Sequence, residues 1–122
     1  ERSWVTPSNS ASNQLRTDFT LPNKNVNNAR LYWASPGYAK VFLNGKPTGG
    51  DDMLGPWTTW SKRVLYRCYD VTSSINTSSN TIGVWLGNGQ YRGHWTHAWS
   101  KQTPPLAFVL QMRVSFDDSS VS

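Results

Sequence analysis

The sequence predicts an all-β fold, a single β-sandwich formed by residues 1–122, and three observations lead there. Several short segments alternate apolar and polar residues with a period of two, the mark of a half-buried strand. Clusters of Gly, Pro, Asn and Ser separate those segments, as turns require. Charged residues make up only 16% of the chain and hydrophobic ones 37%, with Ser, Thr and Asn abundant, a balance closer to secreted β-rich proteins than to helical cytosolic ones. At 122 residues the chain is long enough to bury one core and too short for two substantial ones.

The elements follow in order. Leu15, Thr17 and Phe19 alternate with Arg16, Asp18 and Thr20, and Leu31 and Trp33 alternate with Tyr32 and Ala34, giving two strands. Residues 38–43 give a third, and Asn44-Gly45 after Val41-Phe42-Leu43 is the best turn signal in the chain, because both residues tolerate the positive φ of a tight hairpin. Further strands are expected over 64–71, 81–86 and 106–116. The stretches 48–62 and 87–103 change composition to Gly, Asp, Trp and His and read as two long loops, which in a compact domain are more often functional than not. The tail Asp117-Asp118-Ser119-Ser120-Val121-Ser122 reads as the start of a linker.

The lone Cys68 cannot close an intramolecular disulfide, and its apolar neighbours Val64, Leu65, Tyr66 and Tyr69 predict a buried, inert thiol. No apolar stretch approaches the ~18 residues that cross a bilayer, so neither a membrane partner nor an apolar signal segment is expected. The net charge of +5 comes from basic residues scattered singly, apart from Lys62-Arg63, which forms no nucleic-acid stripe but could attract an acidic polysaccharide at long range. A sequon at Asn76-Thr77-Ser78 agrees with a secreted, extracellular setting.

Seven Trp in 122 residues is the most unusual feature of the composition, and Trp57, Trp60, Trp85, Trp95 and Trp99 lie in or beside the two loops. A pyranose has a face of polarised C–H groups and a rim of hydroxyls, so an indole supplies apolar contact while neighbouring Asp, Asn or Arg supply hydrogen bonds. Trp33 and Trp85, inside strand segments, are expected in the core. Trp57, Trp60 and Trp95 fit either core packing or a sugar platform. Asp51-Asp52 lies in a Gly-rich loop and Asn88 lies between Gly87 and Gly89. Calcium takes roughly six to eight oxygen ligands, so two carboxylates and an amide would leave positions for carbonyls, water and sugar hydroxyls. A solvated acidic turn is the simpler reading of the same pair.

The segments Asn28-Ala29-Arg30-Leu31-Tyr32, Val41-Phe42-Leu43-Asn44-Gly45-Lys46, Gly55-Pro56-Trp57-Thr58, Lys62-Arg63-Val64-Leu65-Tyr66, Tyr69-Asp70-Val71-Thr72 and Leu86-Gly87-Asn88-Gly89-Gln90-Tyr91-Arg92-Gly93, in this order and spacing, resemble the N-terminal module of bacterial and fungal α-L-rhamnosidases. The resemblance runs over residues 3–116. It implies a β-sandwich of jelly-roll type that accompanies a separate catalytic barrel in longer chains and, in some members, binds L-rhamnose or rhamnose-containing glycans with calcium. Carried over, the metal ligands are Asp51, Asp52 and Asn88, with a backbone carbonyl near Gly93 as a further candidate. The sugar contacts are Asp51, Asp52, Asn88, Trp57, Trp60, Tyr91, Arg92 and Trp95.

No catalytic residue is expected in this chain. Glycoside hydrolysis needs two carboxyl groups about 5 to 9.5 Å apart across the scissile bond. Glu1 and Asp117-Asp118 are terminal, Asp18 and Asp70 lie at strand positions, and Asp51-Asp52 suit a cation better. His94 and His97 lack a third ligand, and no Ser lies in a nucleophile elbow. Two readings therefore compete: a calcium-dependent sugar-binding module, and a structural accessory domain of a larger rhamnosidase, covalently attached to its catalytic domain and with no sugar site of its own. Recognition of protein or nucleic acid by exposed Trp and Arg has no motif behind it.

Overall fold

The structure is a computed structural model, and it describes residues 13–50, 58–92 and 105–122. Among the described residues the strands form two antiparallel sheets, and no α-helix is present. β1 (Gln14–Thr20), β6 (Ser79–Gly87), β3 (Tyr38–Leu43) and β4 (Lys46–Pro47) make one sheet, in the order β1-β6-β3-β4. β5 (Arg67–Asp70), β2 (Val26–Ala34) and β7 (Val109–Phe116) make the other, in the order β5-β2-β7.

The alternation in each strand decides which side chains enter the space between the sheets. Ala29, Leu31 and Trp33 from β2 and Val114 and Phe116 from β7 meet Ala39, Val41 and Leu43 from β3 and Ile82, Val84 and Leu86 from β6. Removing each larger aliphatic side chain from water contributes about 1.5–3 kcal/mol, the main force holding the two sheets face to face. Trp33 is in the core as expected, with its ring stacked near Tyr69 (centroids 6.5 Å apart) and tilted against Phe108 (6.0 Å). Trp85 is not: it is 51% exposed and packs on Phe42 across the outer face. Ile82, Val84 and Leu86 fix the phase of β6, so an odd-numbered neighbour must face out.

Other elements differ from expectation for local reasons. The strand expected over 64–71 shortens to Arg67–Asp70 because Arg63 is drawn into a turn, its N–H donating to the Thr59 carbonyl (2.9 Å) while its carbonyl accepts from Thr58 Oγ1 (2.6 Å). β5 is an edge strand whose inward residues are Arg67 and Tyr69. Cys68 therefore faces out and is exposed, against the buried thiol expected. The tail is no linker: Val114 and Ser122 exchange two backbone hydrogen bonds of 2.9 Å, and Lys24 Nζ donates to Asp118 at 2.7 Å.

The Asn44-Gly45 turn forms as predicted, with φ of 52° and 79° and Leu43 opposite Lys46. It is pinned by a buried amide network. Asn44 Nδ2 donates to Asn80 Oδ1 (2.8 Å) and to the Ser74 carbonyl (2.8 Å), and Asn44 Oδ1 accepts from the Thr81 N–H (2.9 Å). Asn80, 1% exposed, also accepts from the Asn76 N–H (2.8 Å) and donates to the Asn76 carbonyl (2.9 Å). This network closes one end of the sandwich.

Candidate functional site

The other end is where β2 finishes, β3 begins and β6 runs out. The chain crosses from β2 to β3 through Ser35-Pro36-Gly37, and Ser35 Oγ donates to the Ala107 carbonyl at 3.0 Å, tying this turn to the approach of β7. Gly37 is buried beneath the end of β6: a Cβ there would stand 2.5 Å from the Gly87 carbonyl oxygen and 3.1 Å from that of Asn88. The absence of a side chain at Gly37 is what lets residues 87–88 lie where they do.

Asn88 follows in a helical conformation and opens the 3-10 turn Gly89–Tyr91, its carbonyl accepting from the Arg92 N–H at 3.2 Å. Asn88 is exposed and its side chain makes no capping hydrogen bond, so its amide is not committed to holding the turn. Tyr91 meets Trp60 edge-on, with ring centroids 5.3 Å apart and an interplanar angle of 82°. Trp60 is itself held by the Thr58–Arg63 turn, in which the Lys62 N–H also donates to the Thr59 carbonyl (2.8 Å). The buried Nε of Arg92 has no hydrogen-bond partner among the described residues, and neither has Nε1 of Trp33. Buried donors without acceptors are costly, so these two mark polar ground that a further acceptor would satisfy.

Beneath this end lies an aromatic stack. The Arg67 guanidinium lies over the Trp33 ring at 5.6 Å and donates from Nη1 to the Tyr69 hydroxyl at 3.3 Å. Gly49, with φ of 98°, lets the loop pass so close to Tyr69 that a Cβ would overlap its ring.

Of the residues expected at the site, Asn88, Trp60, Tyr91 and Arg92 gather at this end. Asp51, Asp52, Trp57, Trp95 and Gly93 lie outside the described residues. Sequence reasoning missed Gly37, whose Ser-Pro-Gly setting signals a turn but not what the turn underlies. Three of the four described Asp carboxylates, those of Asp18, Asp70 and Asp118, lie elsewhere and are engaged. Asp18 is held below the usual carboxylate range by Thr81 and Arg16, and Asp70 by the backbone and side chain of Thr72. Asp118 is held further below it by Lys24 and Ser120. Among the described residues no three His, Cys, Asp or Glu side chains gather to hold a metal ion.

The sandwich has direct counterparts. The sequence profile of the α-L-rhamnosidase N-terminal domain matches residues 24–122. The chain belongs to that family. An α-L-rhamnosidase of Streptomyces avermitilis is 38% identical over 120 residues, which is 95% of this chain and 11% of that protein. The crystal structure of the Streptomyces avermitilis α-L-rhamnosidase complexed with L-rhamnose superposes with a TM-score of 0.82 at 35% identity, covering 89% of this chain and 11% of that one. The native enzyme of Aspergillus terreus, at 24% identity, shares the fold with a TM-score of 0.84 over 98% of this chain and 15% of its own. This α-L-rhamnosidase N-terminal domain thus spans about a ninth of the curated relative it matches.

Proposed function

We propose that this chain is a non-catalytic accessory domain of a longer α-L-rhamnosidase. The observation that carries this reading is coverage: nearly all of the chain aligns with a small part of a full-length rhamnosidase. Electrostatics support it. A general acid for glycoside cleavage needs a raised pKa, whereas Asp18, Asp70 and Asp118 are all held ionised by hydrogen bonds. Incubation of the pure chain with an aryl α-L-rhamnoside tests it. No chromophore should be released, and release would overturn the reading.

One observation favours a ligand role within that accessory function: Asn88, Trp60, Tyr91 and Arg92 share one end, with an uncommitted amide and an unpartnered buried donor among them. The ligand would be L-rhamnose or a rhamnose-containing glycan, the sugar bound to the Streptomyces avermitilis relative. The rings offer apolar surface to the sugar's C–H face, and Arg92 Nε offers a donor to a hydroxyl. Calcium fits the donor chemistry, since an exposed amide oxygen on Asn88 is a hard ligand, with Asp51 and Asp52 to supply carboxylates. The cation would add a positive charge to which sugar hydroxyls bind. Calorimetry with L-rhamnose in calcium should give heat that EDTA abolishes. Heat that survives chelation would remove the metal from the proposal.

A further inference from the structure

A second site lies on the flat of the sandwich, towards the end where β2 finishes and β7 begins. The outward face of the β5-β2-β7 sheet carries a cleft of about 430 Å³ lined by Tyr32, Ala34, Tyr66, Val109, Gln111 and Arg113, among others. That volume falls in the ~300–1,000 Å³ range of small-molecule sites. Tyr32 and Tyr66 form its walls, with ring centroids 6.2 Å apart and planes inclined at 53°. Tyr66 is 70% exposed, a large aromatic surface left to water. Tyr32 pairs across strands with the exposed Gln111, so an amide with two donors and an acceptor lines the cleft beside the rings.

The charge on this face is unbalanced. Arg30 on β2 and Arg113 on β7 are register partners, directly opposite each other, an arrangement that like charges disfavour. On its other side Arg30 faces Asp70, whose Oδ1 accepts from the Thr72 N–H (3.0 Å) and hydroxyl (2.7 Å) and whose charge Arg30 partly offsets. Arg113, the cation that lines the cleft, has no acidic partner in the sheet, and both ion pairs found among the described residues, Arg16–Asp18 and Lys24–Asp118, lie elsewhere. A carboxylate between the two guanidiniums would relieve their repulsion with charge-assisted, bidentate hydrogen bonds.

We infer that the Tyr32–Tyr66–Gln111–Arg113 cleft binds a saccharide segment bearing a carboxylate, a uronate unit of an acidic glycan. The Tyr rings take the C–H face of a sugar, Gln111 takes hydroxyls, and Arg113 with Arg30 takes the carboxylate. The site needs no metal and does not rest on the loop-end reading, so the two stand or fall separately.

Trigalacturonate and its fully methyl-esterified form, titrated into the chain and followed by amide NMR, form the test. The acid should shift the amides of Tyr32, Tyr66, Gln111 and Arg113. It should bind about tenfold more tightly than the ester, the factor a charge-assisted hydrogen bond supplies. Arg113→Gln should remove that advantage, added salt should erode it, and EDTA and Asn88→Ala should leave it intact. Cys68 pairs with Tyr32 across the strands and lies on the same face as Tyr66, so bound trigalacturonate should slow alkylation of this single thiol. Equal binding of acid and ester, or shifts confined to Trp60, Asn88 and Tyr91, would overturn the proposal. A lack of response to both would leave the face to a neighbouring domain and overturn it equally.

Discussion

At the end of the sandwich where β3 turns into β4, both atoms of the Asn80 amide and the whole of the Asn44 side chain are consumed by neighbours in the fold. At the end where β6 finishes, Asn88 is exposed with no capping bond, and the buried Nε of Arg92 and Nε1 of Trp33 find no acceptor among the described residues. Both ends use the same residue type, and the difference is where its hydrogen bonds go. An amide that spends all of its capacity inward builds structure. One that keeps it can recognise something else.

The comparison makes its largest demand at Asn80. Replacing it with Leu keeps the volume but leaves the Asn76 N–H and carbonyl and part of Asn44 without their partners in a half-buried place. Since each unsatisfied group costs about 1–3 kcal/mol, Asn80→Leu should lose about 3 kcal/mol in denaturant unfolding. A loss under about 1 kcal/mol would mean that water satisfies these groups and that this end is less closed than it looks. Gly37→Ala comes next. Its Cβ cannot coexist with the Gly87 carbonyl, so β6 and Asn88 must shift, at the cost of about 1–3 kcal/mol that overpacking brings. The amide NMR signals of Gly87 and Asn88 should move most, and signals at Asn44 and Asn80 should stay. Movement at both ends would show that the ends are coupled rather than separate.

A smaller effect concerns acid. Asp118 is held well below the ordinary carboxylate range, chiefly by the Lys24 hydrogen bond. Because its folded value is depressed, the contact's contribution is full above the unfolded value of about 3.9 and is lost as pH falls through the folded one. Carbon NMR should find the Asp118 carboxyl still ionised at about pH 3, and Lys24→Ala should bring its titration back towards 3.9. Titration near 3.9 in the unmutated chain would contradict the tether between the β1–β2 connection and the tail.

Much of the scaffold was legible in the sequence because it is local. β3 coincides with the segment expected at 38–43, and Asn44-Gly45 turns where two residues tolerant of positive φ predict. The first half of β2 is not legible because Asn27 and Asn28 break the alternation before Ala29, and a place inside a strand segment does not settle which face Trp85 takes, since Ile82, Val84 and Leu86 claim the inward phase of β6. The closed end was not legible at all. Asn80 looks like any polar residue at a strand's start, and its role comes from Asn44, thirty-six positions away. At the open end, Asn88, Tyr91 and Trp60 were readable from their Gly-rich and Trp-rich loops, but Gly37 was not, since its reason is the backbone of a distant strand.

The separation of scaffold from recognition meets its most direct test in the thermal unfolding of Asn88→Ala beside the unmutated chain, each in EDTA and in calcium with L-rhamnose. A surface substitution of this kind changes stability by less than about 0.5 kcal/mol, so the two proteins should melt together in EDTA. A ligand bound only by the folded state raises the melting temperature with the logarithm of its concentration over Kd, so the unmutated chain should gain stability in calcium and rhamnose and the variant should not. A variant that melts far below the unmutated chain in EDTA would make Asn88 a structural amide like Asn80, and the open end would have to be reassigned as scaffold.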